Sequence, residues 1–377
     1  MRIKFITLYH LIFVVKIKIN MRVCIIGSGL SSLALAKALV NQNIYVDLVA
    51  QKKQNTPDKL RTIGISKSNV DFFNDQITNI ERITWKLKKI EIFTENLKKE
   101  KILNFENYGD ELFSIVKNFQ LMEMLEKILS KNIYFKKLNK KINSNLIKNY
   151  NLIINTDASN FISEKYFSKK IIKEYNSSAH TTKIVHEKIK NDSAIQIFTK
   201  KGPLAFLPMS DYETSIVYSI HKSIEKNENL KKLINYYNSK YKIKKIEKTT
   251  SVELKSFNLR SYYYKNILAF GDLLHRIHPL AGQGFNMTIR DIKTLLDIIK
   301  NKYELGLPLD SSVNSEFEKK LKHNNFIFSN GIDLVHEFFN FERRTNNGIL
   351  SKTVQLLGKY PGVNKVFKKI ADNGILF

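Results

Sequence analysis

The sequence predicts an α/β (α+β) fold: a doubly wound dinucleotide-binding domain interleaved with a mixed β-sheet domain and followed by C-terminal helices. Three observations predict it. An apolar strand pattern runs into Gly27-Ser28-Gly29, then a helical stripe, then a second strand. A second strand-to-glycine junction, Gly271-Asp272, lies far downstream and leads into another helical stripe. Between them, the alternation of Ile195 and Ile197, then Phe206 and the run Ser215 to Ile220, reads as sheet strands. At 377 residues, 43% hydrophobic and 11% aromatic, the chain has room for one large or two interlocked domains and is neither disordered nor fibrous. The expected dinucleotide domain comprises 21–75, 100–170 and 261–305. The expected substrate domain comprises 76–99 and 171–260, and 306–377 forms a C-terminal helical region.

Taken in order, Phe5 to Val15 is an apolar run between Lys4 and Lys16, shorter than the ~20 residues of a membrane helix. Lys16 to Asn20 supplies no small-residue cleavage site. Met21 directly precedes the strand Val23–Ile26, so residues 1–20 are expected to be an upstream extension, the alternative being a membrane-surface segment. Cys24 is the single cysteine; it excludes a disulfide framework and a cysteine-based metal site, and within a strand it reads as a core residue.

Val23–Ile26 is continuous in its apolarity, as a strand buried on both faces must be. Gly27 permits the tight turn, Gly29 lets backbone approach a pyrophosphate, and the helix carrying Leu33, Ala36, Leu39 and Val40 offers free N–H groups at its start. Ser32 takes the third, small-residue position of this Rossmann-like turn. At the end of the second strand, Ile44 to Ala50, the acid usual for ribose binding is replaced by Ala50.

Downstream, the strand Asn266 to Phe270 ends at Gly271-Asp272, then Leu273-Leu274-His275-Arg276-Ile277-His278-Pro279-Leu280-Ala281-Gly282-Gln283-Gly284-Phe285-Asn286 follows. Ile289, Ile292, Leu295, Leu296 and Ile299 then recur at helical spacing, placing Gly282-Gln283-Gly284 at a helix start. A carboxylate at a strand end can accept hydrogen bonds from a polyol, and such a helix start favours negative charge. Five of the 14 glycines fall in these two segments, which marks them as sites of special backbone geometry in a glycine-poor chain.

The pattern Gly-Asp-x-x-His-x-x-x-Pro-x-x-Gly-Gln-Gly-x-Asn, after an N-terminal Gly-x-Gly, resembles the FAD-dependent hydroxylases of the para-hydroxybenzoate hydroxylase type. Asp58 to Ser66, Val116 to Asn118, Gly202 to Pro208, His186-Glu187 with Gln196 and Phe198, and Asn346-Asn347-Gly348 look like the ubiquinone-biosynthesis branch. The resemblance runs in order from about Met21 to the C-terminus. It implies that Gly27, Gly29 and Ser32 cradle the FAD pyrophosphate, that Arg61 reaches the cofactor, and that Asp272 binds the ribityl chain. It places Pro279, Gly282, Gln283, Gly284 and Asn286 around the isoalloxazine ring. His275, His278 and His186 carry no assigned chemistry. One departure stands out. The family's second fingerprint, associated with both FAD and NAD(P)H, here reads Asp157-Ala158-Ser159-Asn160-Phe161, with Glu164 where the family has Arg. Asp157 alone of its signature residues survives.

The implied activity is an aromatic-ring monooxygenase acting on a prenylated phenol in ubiquinone biosynthesis, with FAD, O₂ and NAD(P)H as transient co-substrate, through a flavin C4a-hydroperoxide. The alternatives are a flavin monooxygenase or reductase acting on another aromatic or isoprenoid substrate, and a non-catalytic flavoprotein subunit of a ubiquinone-assembly complex. The formal charge is +27 from 62 Lys+Arg, of which only nine are Arg. The charge is dispersed rather than blocked, which argues against a nucleic-acid partner and suits a cytoplasmic protein resting peripherally on an anionic membrane. Near the C-terminus, Leu356, Leu357, Tyr360, Val363, Val366, Phe367 and Ile370 interleave with Lys352, Lys359, Lys365, Lys368 and Lys369. This stripe either docks at a bilayer or packs on the FAD domain.

Overall fold

The computed structural model describes residues 22–50, 59–95, 100–106, 110–139, 142–143, 147–225, 229–278, 282–345 and 349–358, and positions 360, 362, 365, 366, 369 and 372. The N-terminal half contains β1 (Arg22–Ile26), α1 (Leu30–Asn41), β2 (Tyr45–Val49), β3 (Thr62–Ser66), α2 (Lys67–Phe72), β4 (Thr84–Leu87), β5 (Lys89–Thr94), β6 (Lys101–Glu106), β7 (Phe113–Lys117), α3 (Asn118–Leu129), β8 (Phe135–Leu138), β9 (Leu152–Asn155) and α4 (Phe161–Tyr166). Next come β10 (Lys170–His186), β11 (Ser193–Thr199), β12 (Gly202–Pro208), β13 (Glu213–His221), α5 (Leu230–Tyr237), β14 (Ile243–Ile246) and β15 (Thr250–Leu259). The chain then runs through β16 (Tyr263–Tyr264), β17 (Ile267–Ala269), β18 (His275–Arg276), α6 (Gln283–Glu304), α7 (Ser311–Thr345) and α8 (Ile349–Gly358).

The first sheet has the order β16-β17-β9-β1-β2-β8. Around β1 all pairing is parallel, with Cys24 opposite Asp47 on one side and Ile153 on the other. Val23 to Ile26 and Leu152 to Ile154 are fully buried, the condition that lets a parallel strand be apolar at every position. Helix α1 packs against β2 and α3, and α6 packs on α1. Of the α6 stripe read from sequence, Ile289, Ile292, Leu295, Leu296 and Ile299 are all buried. Cys24 lies in this core, and its thiol is pushed up to about 12 by burial and the nearby Asp47 carboxylate.

The second sheet is mixed, in the order β18-β15-β10-β13-β12-β11-β5-β6, with β14 beside β10. Its spine is the 17-residue β10, which pairs antiparallel with β13 and β15. A register shift between Glu174 and Ser177 bends the β10–β15 ladder, with Asn176 in a left-handed conformation (φ 48°) that asparagine tolerates well. Lys101–Glu106, grouped by the sequence with the dinucleotide segments, instead pairs with β5 in this sheet. The pairing is antiparallel and needs only a short local connection. A third sheet has the order β3-β7-β4, and Thr62 of β3 donates a hydrogen bond to Ser215 of β13 in the large sheet at 3.0 Å. The observed class is thus mixed α/β, with C-terminal helices as expected.

Candidate active site

Gly27 follows β1 with φ 120° and donates its N–H to Val49 O at 2.9 Å. A Cβ placed there would stand 2.2 Å from Thr156 Oγ1. That hydroxyl donates to Ile26 O at 3.1 Å and meets Ser32 Oγ at 2.6 Å. Ser32 therefore ties α1 to the β9 end rather than lining the cavity beyond the turn. Gly29 is different. It holds extended φ/ψ (−78°, 176°) at the start of α1, and a Cβ there would meet nothing within 4 Å. No side chain caps α1 and no acid lies in its first turn, so the first-turn N–H groups remain available to an anion.

The second glycine segment arrives from the neighbouring strands. Phe270, just past β17, donates its N–H to Asn155 O at 2.9 Å, which sets Gly271-Asp272 beside the β9 end. Asp272 is exposed and lines the cavity. His275 is buried and hydrogen-bonded to Asp291, which also accepts from Asn325 at 3.1 Å; this is a satisfied structural group. Gly282 adopts the left-handed region (φ 64°) at the start of α6, within 3.4–3.6 Å (at its would-be Cβ) of the Gly64 backbone.

Asn286 explains that closeness. Its amide donates to Gly64 O at 2.9 Å and Gly282 O at 3.1 Å, while its oxygen accepts from Ser66 N at 2.9 Å and Asn69 Nδ2 at 3.0 Å. It is fully buried, so its work is to fasten β3 to the α6 start.

These turns open onto one cavity of about 1330 Å³. Gly27, Gly29, Arg61, Asp157 and Asp272 line one part; Gly282, Gln283 and Gly284 line the same space. The large sheet supplies an apolar wall that includes Ile195, Ala205, Val217 and Leu254. Asp157 accepts Ser159 N at 2.9 Å and Ser159 Oγ at 2.7 Å, closing its own turn. Pro279 lies outside the described residues. Ser32 and Asn286 are thus the two candidates, among those described, that stand behind the cavity rather than on it. Asp47, the acid within β2, is engaged by Arg22 at 3.1 Å and by the Tyr150 hydroxyl at 2.7 Å.

His278 also lines the cavity and is buried, with its ring edge-on to Tyr175 at 4.7 Å and beside His336 at 4.4 Å. Neither ring nitrogen has a hydrogen-bond partner among the described residues. Burial, reinforced by His336 and Lys173, pulls it down to about 3, so it is neutral at physiological pH. His186 is satisfied, with Nε2 bonded to Thr214 Oγ1 at 3.0 Å and Nδ1 to Glu187 O at 2.8 Å. Sequence reasoning did not place Thr156, Gly64, Lys365, Lys369 or Asp372 on the cavity, which all five line.

The residues present fit a flavin dinucleotide. Gly29 leaves open space beside uncapped N–H groups, Asp272 stands exposed at a strand end, and the α6 start faces the same cavity as an apolar wall. Among the described residues there is no cluster suited to a metal ion.

Comparison with known proteins agrees. Residues 164–304 match the family model described as FAD binding domain. The chain is 30% identical over 174 residues to the 3-demethoxyubiquinol 3-hydroxylase of Escherichia coli K12, a match covering 44% of each chain. The chain therefore spans under half the length of that relative. It is 21% identical over 418 residues to the ubiquinone biosynthesis monooxygenase COQ6 of Drosophila melanogaster, covering 91% of this chain and 88% of the relative. The p-nitrophenol 4-monooxygenase PnpA of Pseudomonas putida superimposes with a TM-score of 0.75 at 11% identity, covering 94% and 98% of the two chains, and so shares the fold. By these matches and by its two glycine turns on one cavity, the chain is similar to flavin hydroxylases and carries an FAD-binding domain.

Proposed function

We propose that this chain is an FAD-dependent monooxygenase that hydroxylates the aromatic ring of a prenylated phenol in ubiquinone biosynthesis, using O₂ and NAD(P)H. The observation that carries this reading is a single cavity joining the glycine turns to an apolar wall of the large sheet. In this reading Gly27 and Gly29 admit the FAD pyrophosphate, Arg61 pairs with the cofactor, and Asp272 accepts from its ribityl hydroxyls. Gln283 and Gly284 face the ring at the α6 start, where backbone N–H groups favour negative charge on its pyrimidine edge. Bound FAD supplies the oxygen-activating redox chemistry. The chain's own part is to hold ring and phenol together and to keep water out, for which the apolar wall is suited.

The relatives' names support the pathway: the E. coli protein is a 3-demethoxyubiquinol 3-hydroxylase and the Drosophila protein a ubiquinone biosynthesis monooxygenase. A prenylated substrate resides in lipid, and the peripheral association proposed here suits that. No helix among the described residues is long and apolar enough to cross a membrane. Leu356, Leu357, Tyr360 and Val366 are exposed, giving the C-terminal region apolar contact points for a bilayer or a membrane-bound partner. The decisive test is genetic and spectroscopic together. Purified protein should be yellow, NAD(P)H oxidation should accelerate with a prenylated phenol, and expression should restore ubiquinone in a strain lacking one ring hydroxylase. Failure to restore ubiquinone in each such strain, despite flavin-loaded protein, would remove the pathway assignment.

A further inference from the structure

Among the described residues of the C-terminal tail, Asp372 fastens it to the dinucleotide side of the cavity. Asp372 Oδ1 accepts from Ser68 N at 3.0 Å and Ser68 Oγ at 2.9 Å, and its carbonyl accepts from Ser66 Oγ at 3.0 Å and Ser68 Oγ at 3.2 Å. Ser66 is the same residue whose N–H bonds Asn286, so the latch reaches the segment packed on Gly282. Held this way, Lys365 and Lys369, four residues apart, line the cavity with Asp372. Many other lysines in the protein, such as Lys67, Lys117 and Lys183, sit against carboxylates. Among the described residues neither Lys365 nor Lys369 has such a partner.

The geometry points to Lys365 and Lys369 as a phosphate-binding pair for the nicotinamide dinucleotide that reduces the flavin. The inference rests on the proposed function. Three ligands must use the cavity. The FAD pyrophosphate has the Gly27–Gly29 turn and the α1 start; the phenol is uncharged and faces an apolar wall. The remaining anion is the hydride donor, through its pyrophosphate or a 2′-phosphate. The segment that resembles the family's reductant-associated fingerprint has Glu164 in place of Arg, and its Asp157 is spent on Ser159. Cations supplied from the tail offset that loss.

The test compares flavin-loaded wild type with Lys365→Gln/Lys369→Gln and the charge-preserving Lys365→Arg/Lys369→Arg. Dissociation constants for NADH and NADPH come from the concentration dependence of anaerobic flavin reduction, and those for NAD⁺ and NADP⁺ from equilibrium dialysis. Each exposed charge is expected to contribute about threefold, so the glutamine pair should bind roughly tenfold more weakly, with the limiting reduction rate and FAD content unchanged. The arginine pair should restore binding, and the difference should shrink in 0.5 M salt as screening shortens below about 5 Å. Weakening for both nucleotides assigns the pair to the pyrophosphate, and weakening for NADPH alone to the 2′-phosphate; either supports the inference. Unchanged affinity for both, or loss of FAD with reductant affinity intact, overturns it while leaving the proposed function in place. A wild type that binds neither nucleotide overturns both.

Discussion

Gly29→Val separates cofactor binding from folding, as a substitution at the neighbouring Gly27 would not. Gly29 has φ −78° and no atom within 4 Å of a built Cβ, so the backbone can accept valine without strain. Its cost to the protein is that of a poor helix N-cap, about 1 kcal/mol. The cost to FAD is larger in the proposed binding mode, because the branched side chain would fill the open space beside the α1 N–H groups. Two lost charge-assisted hydrogen bonds at ~1.5–3 kcal/mol each amount to ~3–6 kcal/mol, or roughly 10²- to 10⁴-fold in affinity. The neighbouring Gly27→Ala is the control. There φ is 120° and the new methyl would stand 2.2 Å from Thr156 Oγ1, so strain and overpacking together should remove about 3 kcal/mol of stability. The assay is paired: flavin stoichiometry from the visible spectrum, and unfolding by far-UV circular dichroism. Gly29→Val should be colourless with a melting point within a few degrees of wild type, whereas Gly27→Ala should melt much earlier. A stoichiometrically yellow Gly29→Val protein would refute the dinucleotide reading of this turn.

Three further expectations follow from buried groups. Asn286→Ala strips partners from Gly64 O, Gly282 O and Ser66 N, and should lower unfolding free energy by about 3 kcal/mol in urea titrations; a change under 1 kcal/mol would deny it the fastening role. His278, pulled down to about 3 by burial, binds a proton in the unfolded chain below its usual ~6.5 but not in the folded one. Its neutral burial is therefore free of penalty above pH ~6.5 and costs stability as pH falls toward 3, by about 2 kcal/mol at pH 5. Unfolding of His278→Gln should lose that part of the slope between pH 7 and 5, and an identical slope would contradict it. Cys24, with its thiol pushed up to about 12, should resist a thiol reagent at pH 8 until the protein unfolds; native-state labelling at the rate of a free thiol would show that the β1 core opens.

Much of the fold was legible because local chemistry and tertiary role coincide. Val23–Ile26 is apolar at every position because it pairs on both sides, and the Ile289 to Ile299 stripe is buried where its spacing says. Glycines that punctuate strand ends announced both turns. What sequence could not reveal depends on contacts between distant segments. Asn286 sits inside the signature yet spends its amide on the Gly64 carbonyl, more than 200 positions earlier, rather than lining the cavity itself. The resemblance implies a cradle role for Ser32, but its hydroxyl is drawn to Thr156. Asp372 and its lysines lay in a stretch whose spacing suggested an amphipathic surface; no local rule links Asp372 to Ser68, 304 positions away. Lys101–Glu106 carries strand character, but only its partner β5 decides which sheet it joins.

The parallel sheet has a consequence for how the chain is made. Strand β9 receives β1 on one side and β17 on the other, and β17 spans Ile267–Ala269. A nascent chain that has emerged only as far as the end of β15 must hold β9 with one flank unpaired, an apolar edge open to other chains. The glycine turn after β1 and Asp272 after β17 meet only when β17, more than 200 residues beyond β1, has been made, so flavin binding at both turns must wait for that strand. Such long-range pairing slows folding and exposes intermediates to aggregation. Yield of this protein should therefore respond to slower translation and to chaperones, and to flavin supply chiefly at the final step.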